Sequence, residues 1–481
     1  MIDAKGLVVA PGFIDTHSHA DAITLVDPAE DSKIQQGVTT ECIGNCGLSL
    51  APLNKEHLAP LKKYVAPFLG GAHLNWDWET MGQYLDQIKS GSRNIAVLVG
   101  HGTIRIAAMG MENRRPTSRE LEKMKDLVSE SLDQGAFGLS SGLIYPPGVF
   151  AETDELIELC KTVAKRGGLY ATHIRGESDG LIEAVNEAIQ IGEKSGVSVQ
   201  ISHHKAGGKK NWGKVKETLN QVEKARSQGV NIHLDVYPYT AGSTMLASIL
   251  PPWMHEGGMD QALNRLKDPQ IRLRIKRELE QGIKGWENFI EFGGWEGIVI
   301  AFCEREKELE GKSILQIADE RNQEPAETAF DILLEEAGKV VMIIYAMSEE
   351  DVRTVMKHPL VMIGTDGIPT SGKPHPRAYG TYPRILGKYV REEKIFPLEE
   401  AIRKMTSLPA QKFGLKDRGM IAEGMIADLV IFNPSTIQDK STYFNPHEKP
   451  EGIEYVLIGG SIVLERTKLV NSQKGQVIRK G

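Results

Sequence analysis

Two histidines one residue apart, His17 and His19 in DTHSH, open the case for metal chemistry. On extended backbone, side chains two apart share a face, so both imidazoles point the same way. Further along lie Cys46 in IGNCG, His173 in ATHIR, the doublet His203 and His204 in ISHHK, and Asp366 in IGTDG. Imidazole, thiolate and carboxylate all bind zinc, and mixed sets that leave a coordination position open are catalytic rather than structural. Taken singly, each residue has an ordinary explanation: a His capping a strand, a Cys filling a turn, an Asp in an Asx-turn at TDG. Together they have another, because each closes a short apolar strand-like run. Cys42 precedes Cys46 by four residues, but no second Cys pair exists and Cys160 falls on a helical stretch, which argues against a four-thiolate structural site. A zinc ion nearby would keep Asp366 ionised and able to take a proton from water.

The elements that must position these residues alternate in type. Strand-like runs are VVAPGFID, VTTECIG, NIAVLVG, GAFGLSS, GLYATHI, VSVQISH, VNIHLDVY and PLVMIGT, eight in all. Helical stretches separate several of them. Thr117 stands three residues before Glu120, a capping-box spacing. Leu156, Leu159, Cys160 and Val163 share one helical face that Gly167 and Gly168 end, and a second such stretch from Leu181 to Lys194 ends at Gly196. Strands alternating with helices predict a parallel sheet with right-handed crossovers, and eight units favour an α/β fold of the (β/α)8 TIM-like barrel type. No glycine fingerprint for a dinucleotide or a P-loop follows the first strand. In a barrel all the strand-end residues converge on one rim, where active sites are built.

Two segments stand outside this alternation. Residues 241–358 form a long insertion between the seventh and eighth strands, read as a lid or subdomain over the barrel mouth. The barrel is assigned to 1–404 and a small β-sandwich module to 405–481, where GMIAEGMIADLVIFNP and EYVLIGGSIVLE read as short antiparallel strands with glycine turns. That module is expected to lack its N-terminal strands.

Composition limits the partners. The 481 residues carry 57 Lys and Arg against 64 Asp and Glu, a net charge of −7, which argues against nucleic acid or an anionic membrane surface. No apolar run approaches the ~20 residues of a membrane helix. Four cysteines are too few for a disulfide framework, and the first residues show no signal peptide, so a cytoplasmic location is expected, with a small molecule as partner and the oligomeric state open.

At these residues the chain resembles the N-acyl-D-amino-acid deacylases (D-aminoacylases) of the metal-dependent amidohydrolase superfamily. The matching stretches include VVAPGFIDTHSHAD, QGVTTECIGNCGLSLAP, VGHGTIR, GLSSGLIYPPG, YATHIRGE, SHHKAGG, DVYPYTAGST, IGTDG and HPRAYGTYPR, and they span nearly the whole chain. HSH marks only the superfamily; GNCG with THIRGE and SHHK is more specific, and the fourth strand lacks the lysine that most superfamily members carry there. The resemblance implies a tightly held Zn²⁺ on Cys46, His173 and His203, and a second, weaker position near His17, His19 and Asp366. It makes His204 a neighbour rather than a ligand. It also implies that Arg377, Lys205, Tyr237 and Ser243 hold the substrate carboxylate and its surroundings, and that Tyr145 and Met347 line an apolar acyl pocket. The expected activity is zinc-dependent hydrolysis of N-acyl-D-amino acids, with Asp366 as acid and base. The alternatives are an amidohydrolase acting on cyclic amides, of the dihydroorotase or hydantoinase type, and a non-catalytic binding barrel.

Overall fold

The first strand-like segment does two jobs in the computed structural model, which describes residues 2–481. Val8–Pro11 (β1) pairs with the C-terminal tail, whereas Phe13–Asp15 (β2) opens the barrel. Gly12 makes the handover: a Cβ there would lie 2.2 Å from the Thr39 hydroxyl, so only glycine lets the chain pass this close to the next strand.

The barrel continues through Val38–Ile43 (β3), Asn94–Val97 (β4), Val99–Gly100 (β5), Gly138–Gly142 (β6), Leu169–His173 (β7), Ser198–Ile201 (β8) and Ile232–Val236 (β9). Each pairs in parallel with its neighbour, and β4 and β5 are one strand interrupted at Leu98, whose N–H donates to the Ile43 carbonyl. Ala241–Met245 (β10), Ile298–Phe302 (β11) and Val341–Tyr345 (β12) lie in the insertion and form a separate antiparallel sheet in the order β10-β12-β11. Val361–Ile363 (β13) returns to pair with β9. Closure onto β2 runs through the rim itself: the Asp366 N–H donates to the His17 carbonyl at 2.7 Å and the His19 N–H to the Gly367 carbonyl at 3.0 Å. Strands buried on both faces need apolar or internally satisfied residues throughout, and all six residues of β3 are buried.

The outer helices follow their sequence signals. Ser118–Asp133 starts at a capping box of Thr117 and Glu120, Thr153–Lys165 buries Leu156, Leu159, Cys160 and Val163, and Leu181–Ser195 ends on Gly196 at φ 73°. The insertion has its own core, which includes Leu246, Ile249, Ile298, Phe330 and Met342. Its last helix, Glu349–Lys357, does not belong to it: Val352, Val355 and Met356 are buried in the barrel core.

Leu429–Phe432 (β14), Ile453–Ile458 (β15), Ser461–Glu465 (β16) and Lys468–Leu469 (β17) complete an antiparallel sheet in the order β1-β14-β15-β16-β17. The expected two-layer sandwich is thus one five-stranded sheet that includes a strand from the start of the chain. Two parts of 405–481 rejoin the barrel. The helix Ser407–Phe413 sends the Lys412 ammonium to the Val199 carbonyl and the Ser198 hydroxyl, each at 2.6 Å, and Val477 bridges to Ile95. No helix among the described residues is long and apolar enough to cross a membrane.

Candidate metal centre

The rim residues meet at one point. Cys46 Sγ lies 3.3 Å from His17 Nε2, 3.5 Å from His203 Nε2 and 3.9 Å from His173 Nδ1. Asp366 Oδ1 is 3.4 Å from His17 Nε2 and 3.2 Å from His19 Nε2. All are buried, and their donor atoms form two overlapping groups, His17 with His19, Cys46 and Asp366, and Cys46 with His173 and His203. The backbone is shaped for this. Cys46, His203 and Asp366 all adopt left-handed conformations, at φ 53°, 36° and 49°, although none is glycine. Such residues carry a conformational cost of about 1–3 kcal/mol each and cluster at functional sites.

A divalent ion fits this donor set. A thiol carries one proton, so it cannot satisfy three imidazole nitrogens. Bonds of about 2.0–2.3 Å to a tetrahedral ion place donors roughly 3.3–3.8 Å apart, close to the 3.3, 3.5 and 3.9 Å found around Cys46. His203 Nδ1 lies between Glu177 Oε1 at 2.9 Å and the Lys205 ammonium at 2.8 Å, and its Nε2 faces the Cys46 sulfur. His17 Nδ1 lies 3.5 Å from Asp235 Oδ1 without a hydrogen bond, and His173 Nε2 is likewise buried without a partner. Electrostatics point the same way. Burial opposes protonation of His17, yet Cys46, Asp235 and Asp366 together hold its pKa well above the usual range, so the cluster calls for positive charge. His173 and His203, pushed well below that range chiefly by burial, present neutral imidazoles.

A layer of carboxylates holds the ligands. Asp235, on β9, accepts from the His203 N–H at 2.8 Å and from Gln200 Nε2 at 2.7 Å. Beneath HSH, the fully buried Lys33 ammonium reaches Asp15 at 2.6 Å and Glu41 at 3.1 Å, while Asp15 accepts from the Thr365 N–H and hydroxyl. Glu41 also accepts from the Ser18 hydroxyl and the Arg93 guanidinium. Burial alone would raise the Glu41 pKa, but the Arg93 and Lys33 charges outweigh it and hold the group at about 2.

Above the ligands lies a narrow cleft lined in part by Tyr145, Lys205, Tyr237, Ser243 and Arg377. Arg377 is almost fully buried; one guanidinium nitrogen is 2.9 Å from Asp366 Oδ2, another donates to the Ser243 carbonyl at 3.1 Å, and the group stacks 4.4 Å from the Tyr237 ring centroid. Burial would raise the Asp366 pKa, but Arg377 and then His17 hold it well below the carboxylate range. The Lys205 ammonium bonds Glu177 at 2.6 Å, and the buried Tyr237 hydroxyl has no partner. Tyr145 donates or accepts with Thr244 at 2.8 Å, its ring edge-on to His173.

Two residues lie elsewhere. Met347 is absent from the cleft and lies behind Lys205 and Tyr237, in a pocket it shares with His204 and Val352. His204 turns away from the cluster to bond the Thr218 hydroxyl at 2.8 Å, and burial lowers its pKa to about 4. Sequence reasoning missed Glu177 and Asp235 as supports. Glu177 stands four residues after His173 in THIRGE, a visible signal, whereas Asp235 sits inside the seventh barrel strand with no local mark.

A parallel barrel with a buried cysteine–imidazole–carboxylate cluster at its C-terminal rim defines a metal-dependent hydrolase class. The Amidohydrolase family profile matches residues 1–464. A D-aminoacylase of Alcaligenes xylosoxydans xylosoxydans is 37% identical over 481 residues, covering 99% of this chain and 88% of that protein. A crystal structure of the N-acyl-D-glutamate deacylase of Bordetella bronchiseptica, complexed with zinc and a phosphonate inhibitor, is 34% identical with a TM-score of 0.83, covering 99% of this chain and 90% of that one. The L-hydantoinase of Arthrobacter aurescens, 15% identical with a TM-score of 0.53 and covering 100% of this chain and 90% of that one, shares the fold alone. The chain belongs to the amidohydrolase family, in the branch of the N-acyl-D-amino-acid deacylases.

Proposed function

We propose that this protein hydrolyses the amide bond of N-acyl-D-amino acids, releasing a carboxylate and the free D-amino acid, with Zn²⁺ as cofactor. The observation that carries this reading is the meeting of three imidazoles on the Cys46 sulfur beside the paired Asp366 and Arg377. Cys46, His173 and His203 are the residues for the tighter zinc, and His17, His19 and Asp366 for a weaker second position. Zinc held by these residues would supply a Lewis acid for the carbonyl oxygen and lower the pKa of a water from about 15.7 toward about 7.

The chain's own groups do the rest. Asp366, held ionised by Arg377 and His17, accepts a proton as the water oxygen bonds to the amide carbon. It returns that proton to the nitrogen as the carbon–nitrogen bond breaks. Arg377, Lys205, the unpartnered Tyr237 hydroxyl and Ser243 all line the cleft, and they are the groups that bind the substrate carboxylate and its surroundings. Carbonyl and carboxylate fixed at two points leave one enantiomer able to seat its side chain. Tyr145, packed on His173, forms part of the acyl wall. All four cysteines are buried and unbridged, as is usual of a reducing compartment, which supports the cytoplasm as the location. Zinc-loaded protein given racemic N-acetyl amino acids is expected to release only D-amino acids on chiral chromatography. Release of L-amino acids, or none, would overturn the reading.

A further inference from the structure

Resting on the deacylase reading, in which Lys205 binds the substrate carboxylate, we infer that Glu287 of the insertion is a positioning residue. It holds Glu177, and through it Lys205, in place, so that the carboxylate site is complete only when the insertion is seated on the barrel. The mechanism makes no use of Glu287, yet its carboxyl is buried and its Oε1 has no hydrogen-bond partner. Burying an acid with half its acceptors unpaired is costly, and burial, with the Glu177 charge, raises its pKa to about 7. What the chain gains is one bond: Glu287 Oε2 accepts from the Glu177 N–H at 2.5 Å.

That bond falls at a junction. On its other side the Glu177 carbonyl accepts from the Gly207 N–H at 2.7 Å, so the residue is held by the insertion at one backbone atom and by the loop after β8 at the other. From this fixed backbone the Glu177 carboxylate reaches the Lys205 ammonium at 2.6 Å. Neighbouring contacts seat the same stretch of insertion. Phe292, which with Phe289 forms part of the apolar wall of the cleft, covers Gly207 so closely that a Cβ there would lie 2.7 Å from its ring. The Gly208 N–H donates to the Ala346 carbonyl, just past β12, at 2.9 Å. At the surface Lys210 bridges Asp179, at 2.8 Å, and Glu291. Residues 287–292 therefore rest on both barrel loops that carry the Glu177–Lys205 pair, and Glu287 is the member that bonds Glu177 itself. A charge-assisted bond to a carboxylate depends on placement, and a shift of about 1 Å can cost about 10²-fold. Carboxylate binding persists from bound substrate to transition state, so its loss appears in KM rather than kcat.

The test uses zinc-saturated, full-length protein, the variants Glu287→Ala and Glu287→Gln, and the N-acetyl-D-amino acid that the wild type hydrolyses fastest. Gln keeps an oxygen for the Glu177 N–H, and Ala removes it. Glu287→Ala is expected to raise KM about 10–100-fold with kcat within about threefold of wild type, and Glu287→Gln to leave both within about threefold. In a Lys205→Ala background, Glu287→Ala is expected to add less than about twofold, because the group it positions is already gone. A general structural role would cost as much in either background. Hydrogen–deuterium exchange over residues 174–180, which needs no substrate, is expected to quicken in Glu287→Ala but not in Glu287→Gln. An unchanged KM in Glu287→Ala, an equal loss in Glu287→Gln, additive losses with Lys205→Ala or unchanged exchange would overturn the positioning role and leave the deacylase reading intact. A wild type that hydrolyses no N-acetyl-D-amino acid would overturn that reading and this inference with it.

Discussion

In the proposed mechanism Asp366 both sits within ligand distance of two imidazoles and moves a proton, and Arg377 keeps it ionised. Replacing it by Asn preserves the shape and removes the base. Zinc content measured on Asp366→Asn is expected to stay at the wild-type tight-site level while kcat falls about 10²–10⁴-fold; turnover within a few-fold of wild type would contradict the assignment. Glu177 acts through others: it contacts His203 Nδ1 and anchors Lys205. Glu177→Gln is expected to weaken zinc binding by about 10–100-fold in a chelator competition. An unchanged affinity would show that the His203 ring needs no such support. At this scale the ligand types were legible because each stands at the end of an apolar run, as His17, Cys46, His173, His203 and Asp366 do. Direction was not. His203 and His204 are adjacent and equally buried, and only the left-handed backbone at His203 decides which ring enters the cluster.

Between residues and molecule lie the ties that hold strand ends in register. Lys33, Asp15, Glu41 and Arg93 join β2, β3, the turn before β3 and the residue before β4, and Thr365 brings β13 into the same network. Glu41 titrates near 2 in the folded protein against 4.5 ordinarily. The unfolded chain therefore binds more protons between these values, so the stabilisation is complete above about pH 4.5 and is lost as pH falls toward 2. Glu41→Gln is expected to lower stability at pH 7 by about 3–5 kcal/mol, since it strands buried Lys33 and Arg93 charges. It is also expected to flatten the acid limb of a denaturation series across that window; an unchanged acid limb would contradict the role given to Glu41. The eight barrel strands were readable from their buried runs and glycine stops. The sheet β10-β12-β11 was not, because Ala241–Met245 pairs with residues about a hundred positions away and neighbouring residues carry no trace of that.

The described residues bury three apolar clusters, a large one through the barrel, one in the insertion and a smaller one that packs Ala410 and Phe413 against barrel strands, and the cleft lies between the first two. The candidate ligands come from barrel strand ends alone, whereas the apolar wall comes largely from the insertion. Metal removal should therefore weaken the barrel. A tightly bound ion stabilises by about 2.7 kcal/mol at a hundredfold excess over its Kd, so chelation is expected to lower the thermal transition by several degrees, and added zinc to restore it. A transition indifferent to chelation would contradict a site that ties strands from opposite sides of the barrel. The division at residue 404 was only partly readable. The break in periodicity is real, but strand β1 and residue Val477 cross it, and such long-range pairing leaves no local signature.

In the proposed centre one divalent ion draws the Cys46 sulfur and the imidazoles of His173 and His203 into a shared coordination sphere. X-ray absorption at the zinc edge of the purified, zinc-loaded protein tests it most directly. The expected spectrum has one sulfur at about 2.3 Å and nitrogen or oxygen neighbours at about 2.0–2.2 Å, with the sulfur contribution lost in Cys46→Ser. A zinc shell without sulfur, or one with several sulfurs, would contradict it.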